Sequence, residues 1–149
     1  MNLDIRVEQA LQEINFVERY EQLSNYYSKD RTPEGQELDY FDGDFLIDIV
    51  KLLGYKVHYD KREHFFYIDL ESVGKFQFGW LELIWVVYEG EEVLLGSPWT
   101  RYARLMIACD YIIKQPVISD YIDFRDVMKI AFEMYEDFKQ AFLKIAAED

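Results

Sequence analysis

Residues 37–48, ELDYFDGDFLID, carry five carboxylates in twelve positions, and Asp39-Tyr40-Phe41-Asp42-Gly43-Asp44 has the residue types of a cation loop. A calcium loop of the EF-hand kind needs oxygens at alternating positions, glycine sixth and a bidentate glutamate twelfth. Counted from Asp39, the acids fall at the first, fourth, sixth and tenth positions, Gly43 is fifth, and no glutamate closes the loop. That spacing fails for calcium. The same residues suit the start of a helix: Asp42 can accept from the first free backbone N–H groups, and Asp44 complements the positive end of the helix dipole. Asp48 follows Asp44 by one turn and shares its exposed face. Glu37 and Asp39 have no capping task.

Other reactive residues assemble no site. His58 and His64 flank a turn at 60–63, with neither a third imidazole nor a cysteine nearby to complete a zinc set. The serines lack a Gly-x-Ser-x-Gly setting, and the dispersed glycines form neither GxxxxGK nor GxGxxG. Cys109, the only cysteine, sits between apolar residues and reads as a small core side chain. Arg101 and Arg104, one turn apart after Trp99, are expected to pair with carboxylates of the protein itself, and Trp80, Trp85 and Trp99 to fill the core. No catalytic residue, metal or cofactor is expected.

Periodicity supplies the frame. Asp4 to about Tyr27 reads as one amphipathic helix with Val7, Ala10, Leu11, Ile14, Val17, Tyr20 and Tyr27 on its apolar side. The polar stretch 28–35 follows, then a shorter helix from about Asp42 to Leu53 ending at Gly54. Tyr55–Tyr59 and Phe65–Leu70 alternate as strands. Phe76–Glu89 is apolar on both faces and reads as one bent strand or two, with Gly79 as a bulge. Glu89-Gly90-Glu91-Glu92 closes a hairpin into Val93–Leu95, and Ser97-Pro98 resembles an N-cap with a first-turn proline for a helix through Arg101 and Met106. No element is assigned across 108–119. The last helix, Asp123 to about Ala147, has a continuous apolar stripe from Phe124 to Ile145. The expected fold is α+β: one domain over 1–149, with a mainly antiparallel four- to five-stranded sheet packed by the N-terminal helices and the long C-terminal helix.

The chain has 149 residues, half of them hydrophobic, enough for a real core. Its longest apolar runs are strand-length and the N-terminus has no export pattern, so a cytoplasmic location is expected. Twenty-nine acids against 16 bases leave a net charge of −13. No basic stripe is available for phosphates, so neither nucleic acid nor an anionic membrane is expected as a partner. Such a field draws in basic proteins. Residues 28–48 hold seven acids and two bases, and Glu89, Glu91 and Glu92 form a second acidic group in a stretch without a base between Lys75 and Arg101.

Leu94-Leu95-Gly96-Ser97-Pro98-Trp99-Thr100-Arg101-Tyr102-Ala103-Arg104-Leu105, with Tyr135-Glu136-Asp137-Phe138-Lys139 near the end, resembles the small acidic immunity proteins of bacterial polymorphic toxin systems, including contact-dependent growth inhibition. The resemblance covers roughly the second half of the chain. It implies a non-enzymatic protein that binds and neutralises one cognate toxin domain, often a basic nuclease. The matching motifs are scaffold elements, so the resemblance transfers no contact residue. From charge alone, Glu37, Asp39, Tyr40, Asp42, Asp44, Asp48, Glu89, Glu91 and Glu92 are the candidate contacts. Two other readings stay open: another acidic interaction protein, such as a phage-encoded antagonist of a nucleic-acid-binding enzyme, and a small enzyme with an unrecognised carboxylate site.

Overall fold

A computed structural model of the chain describes residues 3–28, 43–60, 65–70, 74–79, 82–89, 92–107, 113–114, 116–118 and 120–148. The first helix, α1 (Ile5–Glu13), starts where Asp4 accepts the Arg6 backbone N–H at 2.9 Å. The Arg6 side chain also donates to this carboxylate, and those bonds hold the Asp4 carboxyl below the usual range. The expected single helix over 4–27 is in fact two. Asn15 stands in the left-handed region (φ 57°, ψ 45°), and α2 (Phe16–Tyr26) begins after it. Asparagine tolerates this backbone better than most residues.

The break changes which side chains are buried. In one continuous helix Val17 would follow Ile14 onto the core face. The turn at Asn15 instead puts Phe16 fully inside and leaves Val17 half-buried. Helix α3 (Gly43–Leu52) follows, and the chain leaves it through Gly54 at φ +96°, a backbone that glycine adopts freely.

Five strands come next: β1 (His58–Asp60), β2 (Phe65–Leu70), β3 (Gly74–Gly79), β4 (Glu82–Glu89) and β5 (Glu92–Pro98). Their backbones pair antiparallel in sequence order. The stretch expected as one bent strand or two is two, since Gly79 opposes Glu82 and the chain reverses between them. The irregularity expected at Gly79 falls between Val87 and Tyr88. Pro98 does not open a helix but ends β5, opposite Ile84. Because β5 is an edge strand, a residue without an N–H is tolerated there.

Helix α4 (Trp99–Ile107) begins directly after β5, and α5 (Tyr121–Glu148) ends the described chain. The side chain of Asp120 caps α5, accepting the Asp123 backbone N–H at 2.8 Å, so the helix begins at Tyr121, two residues before the expected start. Val117, in a stretch to which the sequence assigns no element, is fastened to the end of α2. The Val117 N–H donates to the Tyr27 carbonyl at 2.6 Å, and Ile113 and Ile118 are buried.

The expected fold class requires correction. Among residues whose side chains are described, 78% are helical and 1% lie in a strand, and the buried cluster they form is a helix-on-helix core. Val7, Ala10 and Leu11 of α1 meet the long stripe of α5, whose buried residues run from Phe124 through Met128, Met134 and Phe138 to Phe142. Among the described residues, the N-terminal helices and α5 therefore cover one another. The strands reach this core chiefly through α4, which touches β4 and β5. At that junction Trp99 is fully buried, 5.4 Å from the rings of both Phe16 and Tyr20, and edge-on to Phe16. A periodic apolar stripe states that a face is covered, not what covers it.

Candidate partner-binding surface

The helix α3 carries the described part of the opening acidic stretch. It packs against α5 through Val50, which is buried, while Asp44 and Asp48 are exposed on its outer side. Spaced by one turn, the two carboxylates share a face. Among the described residues Asp48 forms no ion pair. Glu37, Asp39, Tyr40 and Asp42 lie outside the described residues, so the expected cap at Asp42 does too.

The second expected group sits on another element. Glu89 and Glu92 occupy directly opposed positions where β4 and β5 begin their pairing, and Glu91 lies outside the described residues. Like charges at opposed positions oppose pairing, so this end of the ladder is not optimised for strand stability. From here β5 runs to Trp99, which places the opposed pair at the end of the ladder away from the aromatic junction. The structure thus puts the two acidic groups on separate elements, and no described contact joins α3 to this end of the hairpin.

Sequence reasoning missed a cleft of about 320 Å³ between the end of α3 and α5, lined by Leu53, Tyr55, Phe132, Glu133 and Glu136 with Lys129 at its edge. Tyr55, expected in a strand, precedes β1 and lies over Phe132 with ring centroids 4.2 Å apart. Its hydroxyl donates to Glu136 at 3.2 Å. Burial, the neighbouring charge of Glu136 and this hydrogen bond push the Tyr55 phenol up to about 12. Lys139 also approaches Glu136, at 3.8 Å, so that carboxylate is partly compensated. The only advance signal was the polar side of α5, where Glu133, Glu136 and Asp137 stand beside the apolar stripe.

A second depression, about 500 Å³, lies where α1, α2 and α4 meet; Leu11, Phe16, Val17 and Met106 supply its apolar wall, and Glu18 and Glu21 lie on its rim. Glu18 is exposed and Glu21 half-buried. Arg19, the sole base in α2, is directed elsewhere: its Nη1 donates to Asp137 Oδ2 at 2.9 Å and to the Ile14 carbonyl at 3.3 Å.

Nothing in these arrangements couples a nucleophile to a base. Among the described residues no three histidine, cysteine or acidic side chains group to hold a metal ion. His58 is half-buried in β1, opposite Tyr67, while His64, Trp80 and Cys109 fall outside the described residues. Arg101 and Arg104, expected to pair internally, are exposed on α4. No helix among the described residues is long and apolar enough to cross a membrane. The chain matches no protein-family model, no curated protein and no solved structure.

Proposed function

We propose that this protein is an immunity-type inhibitor, which binds a basic, nuclease-like toxin domain and blocks its active site with carboxylates standing where substrate phosphates would lie. The supporting observation is the net acidity: a charge of −13, with Asp44 and Asp48 displayed on one exposed face of α3. Neither residue is buried in the helical core, so their type is not dictated by packing. Charge of one sign in a field this large accelerates encounter with a basic partner and disfavours acidic ones. The chemistry required of the protein is binding alone.

Co-expression tests the proposal directly. An immunity gene is expected directly after its toxin gene, so a basic toxin-like domain encoded immediately upstream is the partner to look for and use. The expected result is protection of the cells and a 1:1 complex whose affinity falls as salt rises. D44N/D48N is expected to weaken that complex. Absence of protection, or binding indifferent to both salt and these substitutions, rejects the proposal.

A further inference from the structure

We infer that the depression between α1, α2 and α4 is a docking groove for a basic amphipathic segment of a protein partner. The partner's identity rests on the inhibitor reading; the groove itself does not. Three features carry the inference.

The groove has a mixed lining in an ordered arrangement. Leu11 and Phe16 are fully buried beneath it, while Val17 and Met106 are only half-covered, so apolar surface remains available above a fixed floor. Methionine is unbranched and adapts to the shape of an incoming side chain. The volume of about 500 Å³ accommodates more than one apolar side chain.

The groove also owes its shape to a backbone feature. Asn15 belongs to its lining and holds the left-handed conformation that ends α1 and redirects α2. A continuous helix would carry Val17 toward the core face and leave no re-entrant angle between the two segments.

Finally, among the described residues the ionisable groups lining the groove are Glu18 and Glu21, both carboxylates. The base between them, Arg19, is drawn to the opposite side by Asp137 and the Ile14 carbonyl. The rim of an apolar trough is therefore negative on the side formed by α2. An occupant that satisfies both properties presents an aliphatic or aromatic side chain to Val17 and Met106 and lysine or arginine to Glu18 and Glu21. A second copy of this chain, itself strongly acidic, does not fit that description.

The probe is a synthetic helical peptide of leucine and lysine, with a leucine–glutamate peptide of the same length as control. Binding to the full chain is followed by calorimetry and by amide chemical shifts. The lysine peptide is expected to shift residues of the groove, and the glutamate peptide to bind nowhere. E18K/E21K should weaken the lysine peptide about ten-fold or more, whereas E133K/E148K, an equal change in net charge at exposed positions of α5, should cost about three-fold or less. V17N, which keeps the rim charge, should weaken it as well. Equal losses for the two charge variants, or shifts confined to other surfaces, overturn the groove. Circular dichroism of each variant verifies that the helices are intact. The toxin co-expression assay separates the two ideas: a peptide bound in the groove without protection from toxin removes the inhibitor reading alone. Protection with an unoccupied groove removes this inference alone.

Discussion

Arg19 and Asp137 meet at 2.9 Å although 118 residues of chain separate them, and the same guanidinium nitrogen donates to the carbonyl of Ile14 at 3.3 Å. Ile14 immediately precedes the left-handed residue between α1 and α2. One side chain thus ties the break between these helices to the polar side of α5. It also leaves the opposite side of α2 without a positive charge.

Removing this tie should have a small but measurable effect. The pair is partly exposed, which screens its attraction, so Arg19→Ala is expected to cost about 1 kcal/mol, including the lost bond to Ile14. Urea denaturation at low and high salt checks this. The difference between variant and parent should shrink as salt rises.

Asn15 offers a sharper test of local geometry. Because its φ is positive, a β-branched replacement is strained: Asn15→Val should destabilise by about 1–2 kcal/mol, and Asn15→Gly should be tolerated. If the two variants melt at the same temperature, the helix break is not held in the left-handed conformation.

Trp99 should be the most sensitive single position of the helical core. It is fully buried against Phe16 and Tyr20, so Trp99→Ala leaves a large cavity and is expected to cost about 3–5 kcal/mol. Trp99→Phe should retain much of that stability. Equilibrium denaturation followed by far-ultraviolet circular dichroism reads both.

Alkaline stability follows from three phenols. Burial raises those of Tyr20 and Tyr102 well above the ordinary value, and burial with the charge and hydrogen bond of Glu136 pushes Tyr55 up to about 12. In each case the folded value exceeds the unfolded one, so the folded protein binds more protons once the unfolded phenol ionises. Their contribution to stability is complete below about pH 10 and is lost as pH rises through the folded values. Phenolate absorbance should therefore show these three tyrosines, at least, ionising late, with alkaline unfolding. In Tyr55→Phe one late phenolate should be missing, and stability should fall less steeply between pH 10 and 12.

The helices were more legible in sequence than their partners were. The α5 stripe was evident from Phe124 onward because it repeats over many turns, and Gly54 announced the end of α3 because a left-handed backbone suits glycine. Asn15 was not legible as a break: an apolar period runs through it, and Val17 was assigned the interior place that Phe16 holds. The reversal between Gly79 and Glu82 lacked a turn signature, since Trp80 and Leu81 stand there. Ser97-Pro98 imitated a helix start although Pro98 belongs to an edge strand. Of the candidate surface, Asp44 and Asp48 were accessible to charge counting and helix spacing. The groove was not, because it is made where three segments converge, and no local pattern records that meeting.

The packing of α1 on α5 also sets an order of events during synthesis. Val7, Ala10 and Leu11 leave the ribosome early, but the helix that covers them is made more than a hundred residues later. The strands between them pair with sequence neighbours and need not wait. Until α5 has been made the apolar face of α1 lacks its main cover, so docking of α5 is the step that completes this helical core.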